Sequence, residues 1–196
     1  MEIHLIRHGK TLANEQRLYC GQTDLQLSEN GVNELLDLKV QGIYPTQACL
    51  YFTSGLLRTE QTLDLLYGPV QREALSALRE FDFGDFEMKS HSELKERPDY
   101  QAWISDNSGF SACPYGESKQ NFLNRIMSGF EVLCEKTKKV ESSLIICHGG
   151  VIASIMGQLF PNSCNFYEWQ PNPGHGYSLI YLSNRLIYKK IYANSL

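Results

Sequence analysis

Short apolar runs that end in glycine turns alternate with helix-like segments along this chain. One run, at about residues 2–7, is followed by Gly9, and another, at 143–147, is followed by Gly149. Such runs are typical of strands that are buried on both faces of a parallel sheet. Helix-like segments occupy about 28–42, 56–67, 117–138 and 151–160. The alternation predicts an α/β fold with three αβα layers around a mostly parallel mixed sheet.

The rest of the chain completes this plan. Residues 48–52 and 70–75 are predicted as strands, and 177–182 and 186–192 as a final hairpin joined at Ser183-Asn184-Arg185. Residues 12–27 are predicted to form a loop, and Ser28 to cap the helix after it. The length favours one domain, residues 1–196, with an insertion at about 81–116. This aromatic-rich insertion contains two short helices near 91–97 and 99–106, and we expect it to cover the crevice as a lid.

Charge and composition narrow the range of partners. The net charge is −4 and the pI is about 5.7, which argues against nucleic acid, because binding a phosphate backbone needs a basic face. The apolar runs are too short to span a bilayer, and the N-terminus lacks the features of a leader. The six cysteines form no Cys-x-x-Cys pair and no zinc-type spacing, so no metal is expected. These features predict a cytoplasmic protein, either a monomer or a homodimer.

Arg7, His8 and Gly9 follow the first predicted strand directly. In open α/β sheets, ligands bind at the carboxyl ends of the strands. A guanidinium beside an imidazole, next to a glycine that allows close backbone approach, suits an anion and above all a phosphate. The plain alternative is an exposed strand end with two incidental polar residues.

The same pattern recurs at His148-Gly149-Gly150, after the strand at 143–147. The two glycines would place free N–H groups at a helix N-terminus, where anions are favoured. Arg58 falls in the first turns of a helix after a strand and can reach the same edge, and Glu80 offers a carboxylate among aromatic residues. Taken singly, these residues are equally well explained as structural or solvated ones.

Together the motifs resemble the histidine phosphatase superfamily, which has the phosphoglycerate mutase-like fold. The resemblance covers residues 3 to about 182. It rests on blocks in the family's order: Arg7-His8-Gly9-x-Thr11, Asn14, Gly21-x-x-Asp24-x-x-Leu27, Ser54-x-Leu56-x-Arg58-x-x-Gln61-Thr62, Glu80-x-x-x-Gly84, Gly116-Glu117-Ser118 and His148-Gly149-Gly150.

The resemblance implies a role for each group. His8 is the expected nucleophile, which accepts the phosphoryl group, while Arg7, Arg58 and His148 bind its peripheral oxygens. Glu80 is expected to protonate the leaving alcohol and then to deprotonate the attacking water. No cofactor is implied. Further phosphate or substrate contacts are expected from Asn14, Gly21, Gln22, Thr23, Gly149, Tyr115 and His175.

The expected substrate is a small phosphate ester. Only 67 residues lie between Glu80 and His148, fewer than is usual in the cofactor-dependent mutases, so hydrolysis is favoured. The block at 19–24 and the segment at 171–177 resemble the α-ribazole phosphatase and broad-specificity phosphatase branch, and the aromatic insertion suits a flat or apolar substrate part. Two alternatives stay open: a 2,3-bisphosphoglycerate-dependent phosphoglycerate mutase and a non-catalytic phosphate-binding module.

Overall fold

A six-stranded sheet forms the middle layer of the protein in a computed structural model that describes residues 1–183 and 185–192. The strands are β1 (Glu2–Arg7), β2 (Leu50–Thr53), β3 (Arg72–Ala74), β4 (Ser142–Cys147), β5 (Gly176–Leu182) and β6 (Arg185–Ile191). They are ordered β3-β2-β4-β1-β5-β6. The first four run parallel, whereas β5 is antiparallel to β1 and to β6. The prediction of a mostly parallel mixed sheet is confirmed. Within the predicted hairpin turn, Asn184 lies outside the described residues.

Eight α-helices are found in the part of the chain that the structure describes: α1 (Leu12–Glu15), α2 (Glu29–Val40), α3 (Leu57–Tyr67), α4 (His91–Leu94), α5 (Pro98–Ser105), α6 (Lys119–Thr137), α7 (Gly149–Leu159) and α8 (Phe166–Trp169). Ser28 caps α2 as predicted, because its Oγ accepts a hydrogen bond from the Gly31 N–H at 3.1 Å. None of these helices is long and apolar enough to cross a membrane.

Two helices lie where no helix was predicted. The prediction that residues 12–27 form only a loop is wrong, because α1 begins there with a capping box between Thr11 and Asn14. Asn165 caps α8 in the same way. Both helices have four residues, too few to show an apolar repeat in the sequence. The capping residues are therefore the only local sequence signal for these two helices.

The two faces of the sheet are covered by different helices. Leu5 and Ile145 point into a large apolar cluster that α6 and α7 complete. Their sequence neighbours Ile6 and Ile146 point into a second cluster, which contains Leu63 of α3. All five side chains are fully buried. This alternation places a helical layer on each face, which confirms the three-layer prediction.

The aromatic residues of the segment 81–116 mostly pack against each other. Phe86 and Tyr100 are buried, and their rings meet edge to face with centroids 5.4 Å apart. Trp103 is also buried and contacts both rings. These rings belong to the large core cluster. The idea that the aromatic insertion suits a flat substrate part is therefore wrong for the buried rings, since only Phe110 and Tyr115 are largely exposed.

Candidate active site

The two His-Gly turns meet at one edge of the sheet. Strands β1 and β4 are parallel neighbours in a register that pairs Arg7 with Cys147. His8 and His148 therefore directly follow the ends of two adjacent strands. The His8 N–H donates to the Cys147 carbonyl at 3.0 Å. Their ring centroids are 5.1 Å apart, and both residues are buried. Strand pairing thus brings together two histidines that lie 140 positions apart in the sequence.

The hydrogen bonds of His8 place the ring proton on Nδ1 and the ring lone pair on Nε2. Nδ1 lies 2.6 Å from the Gly9 carbonyl oxygen, and because a carbonyl only accepts, Nδ1 carries the proton. Nε2 accepts a hydrogen bond from the Arg58 Nε at 3.3 Å. Burial, followed by the cations Arg58 and Arg7, lowers the pKa of His8 well below its usual value. His8 is consequently held as a neutral imidazole, and Nε2 is the ring atom that carries its lone pair.

Arg58 reaches His8 from the first turn of α3. It is almost completely buried. Its Nη1 donates to the Thr23 carbonyl at 3.0 Å and its Nη2 to the Gly21 carbonyl at 2.7 Å. Gly21 and Thr23, which were expected to contact substrate, thus hold Arg58 through their backbone oxygens.

Glu87, which was not predicted as a site residue, binds the loop at residues 21–23 from the other side. The backbone N–H groups of Gly21 and Gln22 donate to its carboxylate at 3.0 Å, and so does the Thr23 hydroxyl at 2.7 Å. The Phe83 N–H donates to it as well. Hydrogen bonds to a charged acceptor are stronger than neutral ones, so Glu87 fixes the loop that fixes Arg58.

Arg7 and His148 each have a buried polar atom without a hydrogen-bond partner among the described residues. These atoms are Arg7 Nε and His148 Nδ1. The other ends of the two side chains are held, since Arg7 Nη1 donates to the Pro171 carbonyl at 2.8 Å and His148 Nε2 lies 2.8 Å from the Ser54 hydroxyl. Burial, together with Arg58, His8 and Arg7, lowers the pKa of His148 well below its usual value. Unpaired buried polar atoms are costly, and a bound oxyanion would satisfy them.

The N-terminus of α7 completes the site. A Cβ at Gly149 would lie 3.1 Å from Cζ of Arg7, so the absence of a side chain lets the guanidinium pack closely against this turn. The next N–H, of Gly150, donates to Glu80 Oε2 at 2.9 Å. Glu80 therefore lies beside the same helix N-terminus as the two histidines and the two arginines.

Three predicted contact residues are placed differently. The Asn14 side-chain oxygen accepts from the Thr11 N–H at 3.0 Å, so it caps α1. Tyr115 is 92% exposed, which means that its ring is not packed against the buried site. The His175 ring packs at a tilt against Tyr192, with centroids 4.9 Å apart, and lines a separate crevice, although the His175 carbonyl accepts from the Arg7 N–H. The structure does not gather these last two side chains with the histidine pair.

A polar crevice of about 340 Å³ lies next to Glu80. It is lined by Gln22, Ser76, Arg79, Asp82, Gly116, Glu117 and Arg125. Gln22 Nε2 donates to the Glu80 carbonyl at 2.8 Å, and Arg79 Nε donates to the Ser54 carbonyl at 3.3 Å. Residues that line this crevice thus form hydrogen bonds to residues of the site. Among the described residues, no group of three or more His, Cys, Asp or Glu side chains is arranged to hold a metal ion.

The fold and the site define an α/β enzyme of phosphoryl transfer. A neutral imidazole, two buried arginines and a helix N-terminus at one sheet edge suit the attack on phosphorus and the charge on the phosphoryl oxygens. The family model of the histidine phosphatase superfamily (branch 1) matches residues 3–186. The chain belongs to this superfamily, which confirms the prediction of a phosphatase of this family.

Similar proteins place the chain among phosphatases and mutases. It is 30% identical over 166 residues to the adenosylcobalamin/alpha-ribazole phosphatase of Escherichia coli strain K12, covering 81% of this chain and 79% of that one. The crystal structure of the alpha-ribazole phosphatase from Shigella flexneri has a TM-score of 0.83 at 25% identity, with 100% and 96% of the two chains covered. That of a phosphoglycerate mutase from Thermus thermophilus has a TM-score of 0.71 at 28% identity, with 97% and 98% covered.

Proposed function

We propose that this protein hydrolyses a small phosphomonoester through a phosphohistidine formed on His8. The observation that supports this most directly is the state of Nε2, which carries the ring lone pair because Nδ1 is bonded to the Gly9 carbonyl, and which accepts one long hydrogen bond, at 3.3 Å, from Arg58. A covalent intermediate divides one displacement into two easier ones.

Each step assigns a task to a residue at the sheet edge. The Nε2 lone pair attacks phosphorus and forms the P–N bond, the P–O bond to the alcohol breaks, and Glu80 gives its proton to the leaving oxygen. Water then attacks phosphorus, Glu80 takes up the proton, and the P–N bond breaks with its electron pair returning to Nε2. Arg7, Arg58 and His148 hold the peripheral oxygens during both steps, with help from the Gly149 N–H and from the side-chain amide NH₂ of Asn14, whose oxygen caps α1.

The substrate that we favour is α-ribazole 5′-phosphate. The similarity to the alpha-ribazole phosphatases of E. coli and S. flexneri supports it. The polar crevice beside Glu80 offers hydrogen-bonding groups that suit the hydroxyls of a ribose. Gln22 lines this crevice. Gly116 also lines it, and the exposed Tyr115 immediately precedes Gly116 in the chain. We therefore infer that Gln22 and Tyr115 contact the leaving group.

A phosphoglycerate mutase is the second candidate, because the Thermus thermophilus mutase shares 28% identity and nearly full coverage with this chain. Incubation with 3-phosphoglycerate and 2,3-bisphosphoglycerate separates the two functions. A phosphatase releases inorganic phosphate, whereas a mutase accumulates 2-phosphoglycerate.

The setting that we propose is cytoplasmic. All six cysteines lie among the described residues as free thiols, which fits a reducing compartment. In this proposal one domain, either as a monomer or as a homodimer, acts on a dissolved ester and binds neither nucleic acid nor a membrane, and the segment 81–116 covers part of the crevice. Light scattering after gel filtration measures the oligomeric state.

The decisive experiment compares wild type with His8→Ala on a general phosphomonoester in the presence of a chelator. Loss of the nucleophile should lower kcat by about 10³-fold or more, and mass spectrometry at alkaline pH should detect phosphorylated His8 only in wild type. His91→Ala is the matched control, because His91 is exposed on α4. Undiminished activity of His8→Ala would refute the nucleophile, and phosphate binding without any turnover in wild type would identify a non-catalytic module.

A further inference from the structure

Arg125 of α6 binds the backbone of the segment that contains Glu80. Its Nη1 donates to the carbonyls of Ala77 and Arg79, both at 2.9 Å. Its Nη2 donates to the carbonyl of Glu80 itself at 3.2 Å. Ala77 lies in a short 3-10 helix (Ser76–Leu78), whereas residues 79–83 belong to neither a helix nor a strand, so the carbonyls of Arg79 and Glu80 have no ladder partners. One guanidinium thus supplies hydrogen bonds to the irregular backbone up to and including Glu80.

Glu117 holds Arg125 and extends the same contact beyond Glu80. Arg125 donates to both oxygens of Glu117, at 3.2 and 2.5 Å. Glu117 Oε1 also accepts from the Asp82 N–H at 2.8 Å. Both side chains are mostly buried, with 28% of Arg125 and 15% of Glu117 exposed. This pair, called here the Glu117–Arg125 clamp, therefore fixes backbone groups on both sides of Glu80 by charge-assisted hydrogen bonds.

The packing of α6 against the segment 76–78 supports a built contact. Gly129 lies one helical turn after Arg125, and a Cβ there would come within 2.9 Å of the Ala77 Cβ. The glycine lets the helix approach closely enough for the guanidinium to reach three carbonyls.

We propose that Arg125 and Glu117 are positioning residues for proton transfer by Glu80. This rests on the proposed function, in which Glu80 protonates the leaving oxygen. General acid catalysis needs the donor within hydrogen-bond reach of that oxygen, and small misplacements are costly. The clamp sets the backbone from which the Glu80 carboxylate reaches the Gly150 N–H and the site.

The test uses leaving groups of similar size and different acidity. Phenyl phosphate releases an alcohol that must be protonated, whereas 4-nitrophenyl phosphate releases a stable anion. In Arg125→Met, kcat/KM for phenyl phosphate should fall by about 10–100-fold, and for 4-nitrophenyl phosphate by about threefold or less. Glu80→Gln should show the same pattern with a larger loss. Glu117→Gln, which keeps the acceptor for Asp82, should show it with a smaller one.

Two controls separate positioning from folding. Competitive inhibition by inorganic phosphate should be unchanged in Arg125→Met, because Arg7, His8, Arg58 and His148 are not altered. Arg97→Met is the matched control, since Arg97 pairs with Asp99 and makes no bond to residues 77–82. It should leave kcat/KM for both esters unchanged.

The double variant Arg125→Met with Glu80→Gln gives the sharpest result. If Arg125 acts through Glu80, the double variant is no slower than Glu80→Gln, within about threefold. Equal losses on both esters, full additivity, or no loss at all would overturn the clamp. If Glu80→Gln turned over phenyl phosphate as fast as wild type does, that result would instead contradict the proposed function.

Discussion

The protonation state of His8 depends on its immediate surroundings. A nucleophilic imidazole must be neutral, and burial together with Arg58 and Arg7 keeps the pKa of His8 well below 6.5. Of these causes, Arg58 is the cation that donates directly to Nε2. The same guanidinium that binds a phosphoryl oxygen in the proposed mechanism thus adds to burial in keeping His8 deprotonated.

Replacing Arg58 by Met should therefore raise the pKa of His8 while burial still holds it below its usual value. Nuclear magnetic resonance of the His8 ring nitrogens across a pH titration measures this shift directly, independently of activity. Arg72→Met is the matched control, because Arg72 pairs with Glu60 and Asp64, away from the histidines. An unchanged His8 titration in Arg58→Met would show that the guanidinium does not set its protonation state.

The sequence predicted the residues that meet at the sheet edge better than the residues that hold them in place. His8 and His148 each follow an apolar run and precede a glycine, so the strand order alone brings them to one edge. Glu87 and Arg125 were not predicted, because they act by binding main-chain atoms of segments distant in sequence. No local residue pattern marks such a partner.

At the scale of elements, the loop at 21–23 connects Glu87 with Arg58. Its N–H groups point to the Glu87 carboxylate and its carbonyls to the Arg58 guanidinium. The loop has no regular secondary structure, and its shape depends on these two charged side chains. Three features were predicted poorly: α1, α8 and the aromatic interior of 81–116. The two helices depend on local capping boxes and the interior depends on tertiary ring packing, and apolar periodicity records neither.

Glu87→Gln should loosen this loop, because an amide cannot accept all of the N–H groups that the carboxylate accepts. We expect the free energy of unfolding to fall by about 2 kcal/mol and inorganic phosphate to bind more weakly, since Arg58 loses its fixed carbonyl partners. Urea denaturation and calorimetric titration with phosphate measure the two effects. Glu96→Gln, at a side chain that is 85% exposed, is the control. Unaltered stability and phosphate affinity would contradict the role of Glu87.

At the scale of the whole molecule, three buried histidines link folding to pH. The pKa values of His4, His8 and His148 are lowered in the folded protein, in each case chiefly by burial. In the unfolded chain each imidazole titrates near its usual value of about 6.5. Below that pH the unfolded chain binds protons that the folded protein does not, so the free energy of unfolding decreases as the pH falls. Above it both states are neutral, and the histidines contribute no slope.

The decrease should approach ~1.4 kcal/mol per pH unit for each such histidine, once the pH lies between the folded and unfolded pKa values. Urea denaturation of wild type and of His8→Asn at pH 6.5, 6.0 and 5.5 isolates the share of His8, because the carboxylates contribute equally to both. The free energy of unfolding of His8→Asn should fall less steeply over this interval, and the difference in slope should correspond to about one bound proton. His91→Asn, at an exposed position, should follow wild type. Parallel stability curves for wild type and His8→Asn would mean that His8 takes up its proton in the folded protein over the same pH range as in the unfolded chain. Burial and the two arginines would then not lower the pKa of His8, which contradicts the protonation state argued for it.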